Sequence, residues 1–418
     1  MEELPHSNVQ TILSVMRTDP NAISCLLCLQ WLGDLEESNH EQKCFQKDLQ
    51  YFLELDGLEC LVTAMAHNPN DPNVLCICCQ ALCTLTTALD RTLIGLLVES
   101  SSEDALEVIV KAMHRYPDEV DLQTVACHFF ARLVSPSDDS DSDEQDPYGI
   151  HADLVAAGAI ESVAQAMKMN PDMIELQMDA CQMLQALASF GLYQDRLLQT
   201  KNGLLDAVGE AMTTHATNVL LQEYGCAVIR HVAYHTQKRR DAHAKVDATQ
   251  TLFQAGTLSA VSSALDRHGT AHAAVRKWGC EALCYLAMLL PVVTAFDPSS
   301  TLSDKYFTAN GMTSQVSGLT TSMIRLMESF PQNSLVQECG CSILHLVASN
   351  FPDLQPEIVA AGGERVLRAA RRKKSSRHDS VQEQALEALR LLLNDDTLED
   401  DLDGEARPDE EQQLESLL

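Results

Sequence analysis

Apolar positions along this chain recur at the three- and four-residue steps of a single helix face. In 176–188, LQMDACQMLQALA, the residues Ala180, Cys181, Leu184, Leu187 and Ala188 fall on one side, with polar residues between them. The same pattern returns in ICCQALCTL ending at Leu85, VACHFFARL ending at Leu133 and YGCAVIRHVA ending at Ala233. It returns again in WGCEALCYLA ending at Ala287 and CGCSILHLVA ending at Ala348.

Stacked on one another, these copies place Cys79, Cys127, Cys181, Cys226, Cys280 and Cys341 in one column. The first and last copies, SCLLCLQWL and QALEALRLL, place Leu26 and Leu386 there. The preceding residue is small (Ala126, Ala180, Gly225, Gly279, Gly340, Ala385) or Cys (Cys25, Cys78), and an apolar residue follows three positions on. Gln123, Gln177, Gln222, Gln337 and Gln382 stand four positions before the column.

A second anchor precedes each of these helices: SVM to Met16, TAM to Met65, KAM to Met113, QAM to Met167, EAM to Met212, SAL to Leu265, RLM to Met327 and RAA to Ala370. Ahead of most anchors a glycine breaks a shorter helix, in DGL, AGAI, NGL, AGT, NGM and AGG. Pro and Asn then mark the step into the longer helix, as in HNPNDPN, MNPD and FPQN. Each unit is thus predicted as three helices. No such unit buries both of its faces alone, so about eight of them must stack into an all-α solenoid.

Composition narrows what such a stack does. The formal net charge of −31 opposes general binding to nucleic acid, which needs a surplus of Lys and Arg. Part of the acid lies in SPSDDSDSDEQDP at 135–147 and in the tail 395–418, neither of which has the apolar content to build a core. The repeat array is therefore placed at 1–394, interrupted by the insert, whose serines suit charge tuning by phosphorylation. The start, MEELPHSNVQ, lacks the apolar run of a secretion signal, and no apolar run has membrane-spanning length, so no membrane insertion is expected. Fifteen cysteines without a secretion signal point to free thiols and to the cytoplasm as the default setting, with the nucleus as a further compartment left open.

AAGAIESVAQAM at 156–167 followed by LQMDACQMLQALA at 176–188 resembles the second and third helices of the armadillo-repeat family. The likeness extends over about residues 5–394. It implies a right-handed superhelix whose third helices line a concave groove for another protein. In members resembling importin-α and the catenins, an Asn ladder and a Trp ladder hold extended peptides there. At the corresponding positions this chain has Trp31, Thr84, Arg132, Ala186, His231, Tyr285, Leu346 and Leu391, and Leu27, Gln80, His128, Gln182, Ala227, Glu281, Ser342 and Glu387. Neither ladder is present, so extended nuclear-signal peptides are not the expected ligand.

The sulfur-rich stretches invite a metal or redox reading. Cys25-x-x-Cys28 and Cys76, Cys78, Cys79 and Cys83 lie inside the third-helix pattern, where packing explains them better than zinc or a redox pair. Cys76 and Cys339 stand outside the column, and Cys339 is a candidate for the groove side. His231 and His235, four apart, lack a third ligand. No phosphate-binding loop or nucleophile elbow occurs, so no cofactor, no metal and no catalysis are expected. QKRRDAHAK at 237–245 and RRKKSSRH at 371–378 are basic against the acidic whole.

The expected function is a monomeric, non-catalytic scaffold binding another protein. Trp31, His128, Arg132, His231 and Tyr285 are its candidate groove residues, flanked by Gln80, Gln182 and Glu281. The alternative is an exchange factor or chaperone cofactor that wraps a GTPase or a chaperone's nucleotide domain. That activity needs no motif of its own.

Overall fold

The computed structural model describes residues 4–37, 49–88, 104–134, 149–198, 203–294, 309–372 and 379–395. The acidic insert 135–147, nearly all of the tail 395–418 and residues 373–378 of the second basic cluster lie outside them. The described residues contain helices and turns only, and they fall into two compact units, Met1–Ala260 and Val261–Leu418. The division lies within the helix Thr257–His268.

In the first unit the third helices are Ala22–Glu37, Pro72–Ala88, Val120–Val134, Ile174–Ser189 and Val219–Lys238. Each packs on the next in order along the chain. Their second helices are Leu4–Thr18, Gly57–His67, Ala105–Arg115, Ala159–Met169 and Leu204–Thr214. The second unit repeats the plan with Ala273–Thr294, Ser334–Asn350 and Asp379–Leu393 as third helices. With the shorter helices Ile150–Ala157, Gln194–Leu198, Ala242–Gln254 and Gln355–Ala360 standing first in their repeats, three-helix units of armadillo type are the architecture.

The turn between first and second helices needs one left-handed residue, and Gly158, Gly203, Gly256 and Gly362 supply it with φ of 88°, 62°, 66° and 94°. In the second repeat that residue is Asp56, at φ 53°, and not the glycine of DGL. Gly57 is small for another reason: a Cβ there would run into the ring of Phe52. The NGM glycine makes no break either, because Gly311 lies inside the continuous helix Ala309–Ser329.

A proline-and-amide device fixes the step between second and third helices. Pro117, Pro171 and Pro331 stand four residues after Met113, Met167 and Met327, where a helical N–H would otherwise bond to the methionine carbonyl. Proline has no such donor, and the Gln column replaces it. Gln177 Nε2 donates to Met167 O at 2.8 Å and to Asn170 O at 2.9 Å. Gln123 reaches Met113 O and Tyr116 O at 2.9 and 2.8 Å, and Gln337 reaches Met327 O and Phe330 O at 3.0 and 3.2 Å. Gln222 bonds in the same way to Met212 O and His215 O, at 2.8 and 3.2 Å. In the sixth repeat Arg276 takes the position, donating to Gly269 O at 2.8 Å while its guanidinium stacks 3.9 Å from the Phe330 ring.

The column cysteines Cys79, Cys127, Cys181, Cys226, Cys280 and Cys341 are fully buried, as are the apolar residues three positions on. The small residue before the column answers to the anchor of its own repeat. A Cβ on Gly225 would meet Met212 Sδ at 2.6 Å, one on Gly279 would meet Leu265 Cδ2 at 2.7 Å, and one on Gly340 would collide with Met327.

The first repeat corrects the register by one residue. Cys25, Cys28 and Trp31 are the buried series there (0%, 0% and 8% exposed), matching the column and the positions three and six beyond it, whereas Leu26 is 41% exposed. Cys25 thus occupies the column. Trp31 consequently turns inward, stacked on Phe52 with ring centroids 5.6 Å apart.

Candidate protein-binding surface

On several third helices the residues one and five beyond the column are accessible and polar, although Ala227 and Ser342 at the first of these positions are buried. Gln80, His128, Gln182 and His231 are half-buried there, and Arg132 is exposed. These five lie on four consecutive third helices of the first unit. Glu281 and Tyr285, both half-buried, hold the same positions on Ala273–Thr294 in the second unit. Trp31 is not among the exposed positions, for the reason of register given above.

The structure adds a residue that the column reading passed over. Asp179, with only 9% of its side chain exposed, accepts a bond from His128 Nδ1 at 3.0 Å across the step from repeat three to repeat four. Its position, two before the column, holds Ile77, Val125, Tyr224, Trp278 and Cys339 elsewhere. The last repeat has Gln384 there, so Asp179 is the one carboxylate in the series, and that was the signal. Its charge reaches further than the bond. After burial, it is the next cause pushing the Cys83 thiol up, to about 12, with Arg132 opposing it. Burial first, then Glu223 and Asp179, also push the Tyr224 phenol up. Burial raises Glu223 as well.

One helix further on, the surface turns cationic. The Arg230 guanidinium lies 5.3 Å and Lys238 Nζ 5.7 Å from the centre of the Tyr234 ring. Arg239 pairs with Asp195 at 2.6 Å. Arg230 donates to His231 Nδ1 at 3.2 Å, and His235 Nε2 donates to Ser189 O at 3.2 Å. Burial, then the neighbouring Arg230 charge, push His231 down to about 4. Among the described residues no group of three or more His, Cys, Asp or Glu is placed to hold a metal ion.

The column thiols are packing groups. Burial pushes Cys181, Cys280 and Cys341 up to about 12, away from the thiolate that nucleophilic or ligand chemistry requires. Cys339 is 4% exposed, so it is not a groove residue. It faces the preceding third helix, where a hydrogen bond to Cys284, and then burial, push its thiol well up. No helix among the described residues is long and apolar enough to cross a membrane.

No family model matches this chain, and no curated protein matches it. Solved structures similar to it include the designed armadillo repeat protein YIII(Dq)4CqI, at 18% identity over 69% of this chain and 99% of that one, with a TM-score of 0.44. A second is an engineered protein, structural genomics target OR329, at 18% identity over 70% and 98% with a TM-score of 0.47. A third comes from work on a phosphorylation switch in the interaction between cadherin and beta-catenin, at 13% identity over 95% and 82% with a TM-score of 0.43. Likeness at this level says nothing of what this chain binds. The armadillo-type repeat stands on the helix order and contacts described above.

Proposed function

We propose that this chain is a non-catalytic scaffold that takes a partner protein along the third-helix surface of its first unit. The contact is centred on repeats three to five. The observation that carries this reading is the row of accessible polar side chains Gln80, His128, Arg132, Gln182 and His231 on consecutive, mutually packed third helices. Rigid elements hold these groups at fixed spacing, which lowers the ordering cost of binding.

The surface favours a partner segment that carries carboxylates beside apolar groups. Arg132, Arg230 and His231 supply donors, Tyr224 and Tyr234 supply flat apolar area, and Asp179 is already engaged by His128. Glu281 and Tyr285 hold the corresponding repeat positions on a third helix of the second unit, taken by itself. Affinity capture with the full chain, compared with an Arg132→Glu/His231→Glu variant, tests the assignment. The expected result is that at least one partner held by the parent chain is lost by the variant while its circular dichroism stays unchanged. Capture of an unaltered partner set would place the binding surface elsewhere.

A further inference from the structure

Two thiols oppose each other across the step from repeat six to repeat seven, within the second unit. Counted from the column residues Cys280 and Cys341, Cys284 stands four beyond and Cys339 two before. Other steps show that these positions meet. Cys83, four beyond its column, donates from Sγ to Val125 O at 3.5 Å, and Val125 stands two before the next column. His345, also four beyond, approaches Glu387, one beyond the last column position, at 3.6 Å. Cys284 makes both kinds of contact at once, because the Cys339 thiol and the Ser342 hydroxyl each donate a hydrogen bond to it. The helices that carry them, Ala273–Thr294 and Ser334–Asn350, pack on one another. Sulfur holds both positions at this step alone: Cys83 has Val125 opposite, and the other steps carry no cysteine at either position.

Access separates this pair from the other bonded thiols. Cys25 and Cys78 are also hydrogen-bonded to each other, but both are 0% exposed. Cys339 is 4% exposed whereas Cys284 is half-buried, so a small oxidant in solution reaches one sulfur of the pair. The bond from Cys339 holds the Cys284 thiol below its ordinary value; burial opposes that, and the bond from Ser342 supports it. The accessible sulfur is thus the one whose thiolate is stabilised, and the sheltered one stands directly behind it.

We propose that Cys284 and Cys339 form a reversible oxidation site, at which a hydroperoxide converts the pair into a disulfide joining the third helices of repeats six and seven. The Cys284 thiolate attacks one peroxide oxygen. The S–O bond forms, the O–O bond breaks, and the departing oxygen takes up the proton that Cys284 gave up. Cys284 is then a sulfenic acid, oxidised by two electrons. The Cys339 sulfur attacks the Cys284 sulfur, the S–S bond forms, and the S–O bond breaks. The hydroxyl leaves as water with the Cys339 proton. With hydrogen peroxide the balance is two thiols and one peroxide to one disulfide and two waters. Exchange with an external dithiol returns both thiols and oxidises that dithiol by two electrons. The bond ties two successive repeats together and holds their third helices in register.

The test exposes the full chain to hydrogen peroxide, blocks the remaining thiols with iodoacetamide and maps the unreduced digest by tandem mass spectrometry. The expected result is a linked peptide joining Cys284 to Cys339, with loss of Cys284 alkylation, both reversed by dithiothreitol. Cys25 and Cys78 should stay reduced. In Cys339→Ser the expected product is Cys284 sulfenic acid, trapped as its dimedone adduct, and in Cys284→Ser no linked peptide forms. Cys284 is half-buried, so its serine variant should fold, and an unchanged far-ultraviolet dichroism verifies it. Should Cys339→Ser fail to fold, the parent map and Cys284→Ser decide alone. A parent chain whose Cys284 is still alkylated in full after peroxide would overturn the proposal. A bond from Cys284 to Cys280, Cys341 or a second chain, or one that forms only in denaturant, would overturn it too.

Discussion

Replacing Gln177 with leucine should loosen the hinge between the second and third helices of repeat four. The amide is buried, at 1% exposure, and its two bonds of 2.8 and 2.9 Å go to carbonyls at the end of Ala159–Met169. Asn170 O keeps a second donor in Met173 N–H at 3.2 Å. Met167 O does not have the usual helical substitute, because the residue four beyond it is Pro171. Leucine fills nearly the same volume, so cavity formation is minor. It also removes the buried Oε1 of Gln177, which has no partner, and so one orphan acceptor is exchanged for another.

What remains is the loss of two bonds worth about 1 kcal/mol each, a net of about 2 kcal/mol. Native-state hydrogen exchange resolves this locally, which matters in a chain of two compact units where one unfolding midpoint is ill-defined. Protected amides of Ile174–Ser189 should exchange roughly thirtyfold faster, since 1.4 kcal/mol corresponds to a factor of ten. Rates within about threefold of the parent would refute the idea that the amide carries the turn.

Other outcomes follow from the same geometry. Gly340→Ala forces a methyl into the Met327 thioether and should lower the thermal midpoint through a loss of about 1–3 kcal/mol; an unchanged midpoint would mean the two helices have room to part. His231 has a folded-state value of about 4 against its ordinary 6.5, so it is neutral in both states above 6.5 and contributes nothing to the pH dependence there. Below 6.5 the unfolded chain takes up the proton first, and stability of the first unit should fall as pH drops towards 4, by roughly 2 kcal/mol after discounting for residual exposure. Denaturant titrations of His231→Gln should show that slope reduced. In alkylation at pH 8 followed by mass spectrometry, half-buried Cys76 and Cys284 should be modified before the other described cysteines, and Cys127, Cys181 and Cys341 only after denaturant is added.

The repeat was legible because each unit solves the same packing problem with the same residues. A small side chain must face the anchor residue, a thiol-sized one must fill the inter-repeat site, and in three repeats a glutamine serves the carbonyl that proline abandons. Where a unit solved it differently, the column reading slipped. Repeat one reaches its third helix by a shorter step, Met16 to Cys25, and the pair Cys25 and Leu26 fits a column either way by composition. Only burial distinguishes them, and the choice decides whether Trp31 faces a partner or Phe52. Asp56 can adopt the left-handed turn because its short polar side chain tolerates that region, which a glycine count misses. The candidate surface was half legible. Exposed polar residues follow from the column, but the bond from His128 to Asp179 joins residues 51 apart and needs the stack itself to be seen.

Hydrogen exchange of the chain with and without its captured partner tests the central claim most directly. The account predicts added protection concentrated in the third helices Val120–Val134, Ile174–Ser189 and Val219–Lys238, with the second helices Ala105–Arg115 and Ala159–Met169 unchanged. Protection confined to those second helices, with the three third helices unaffected, would contradict it.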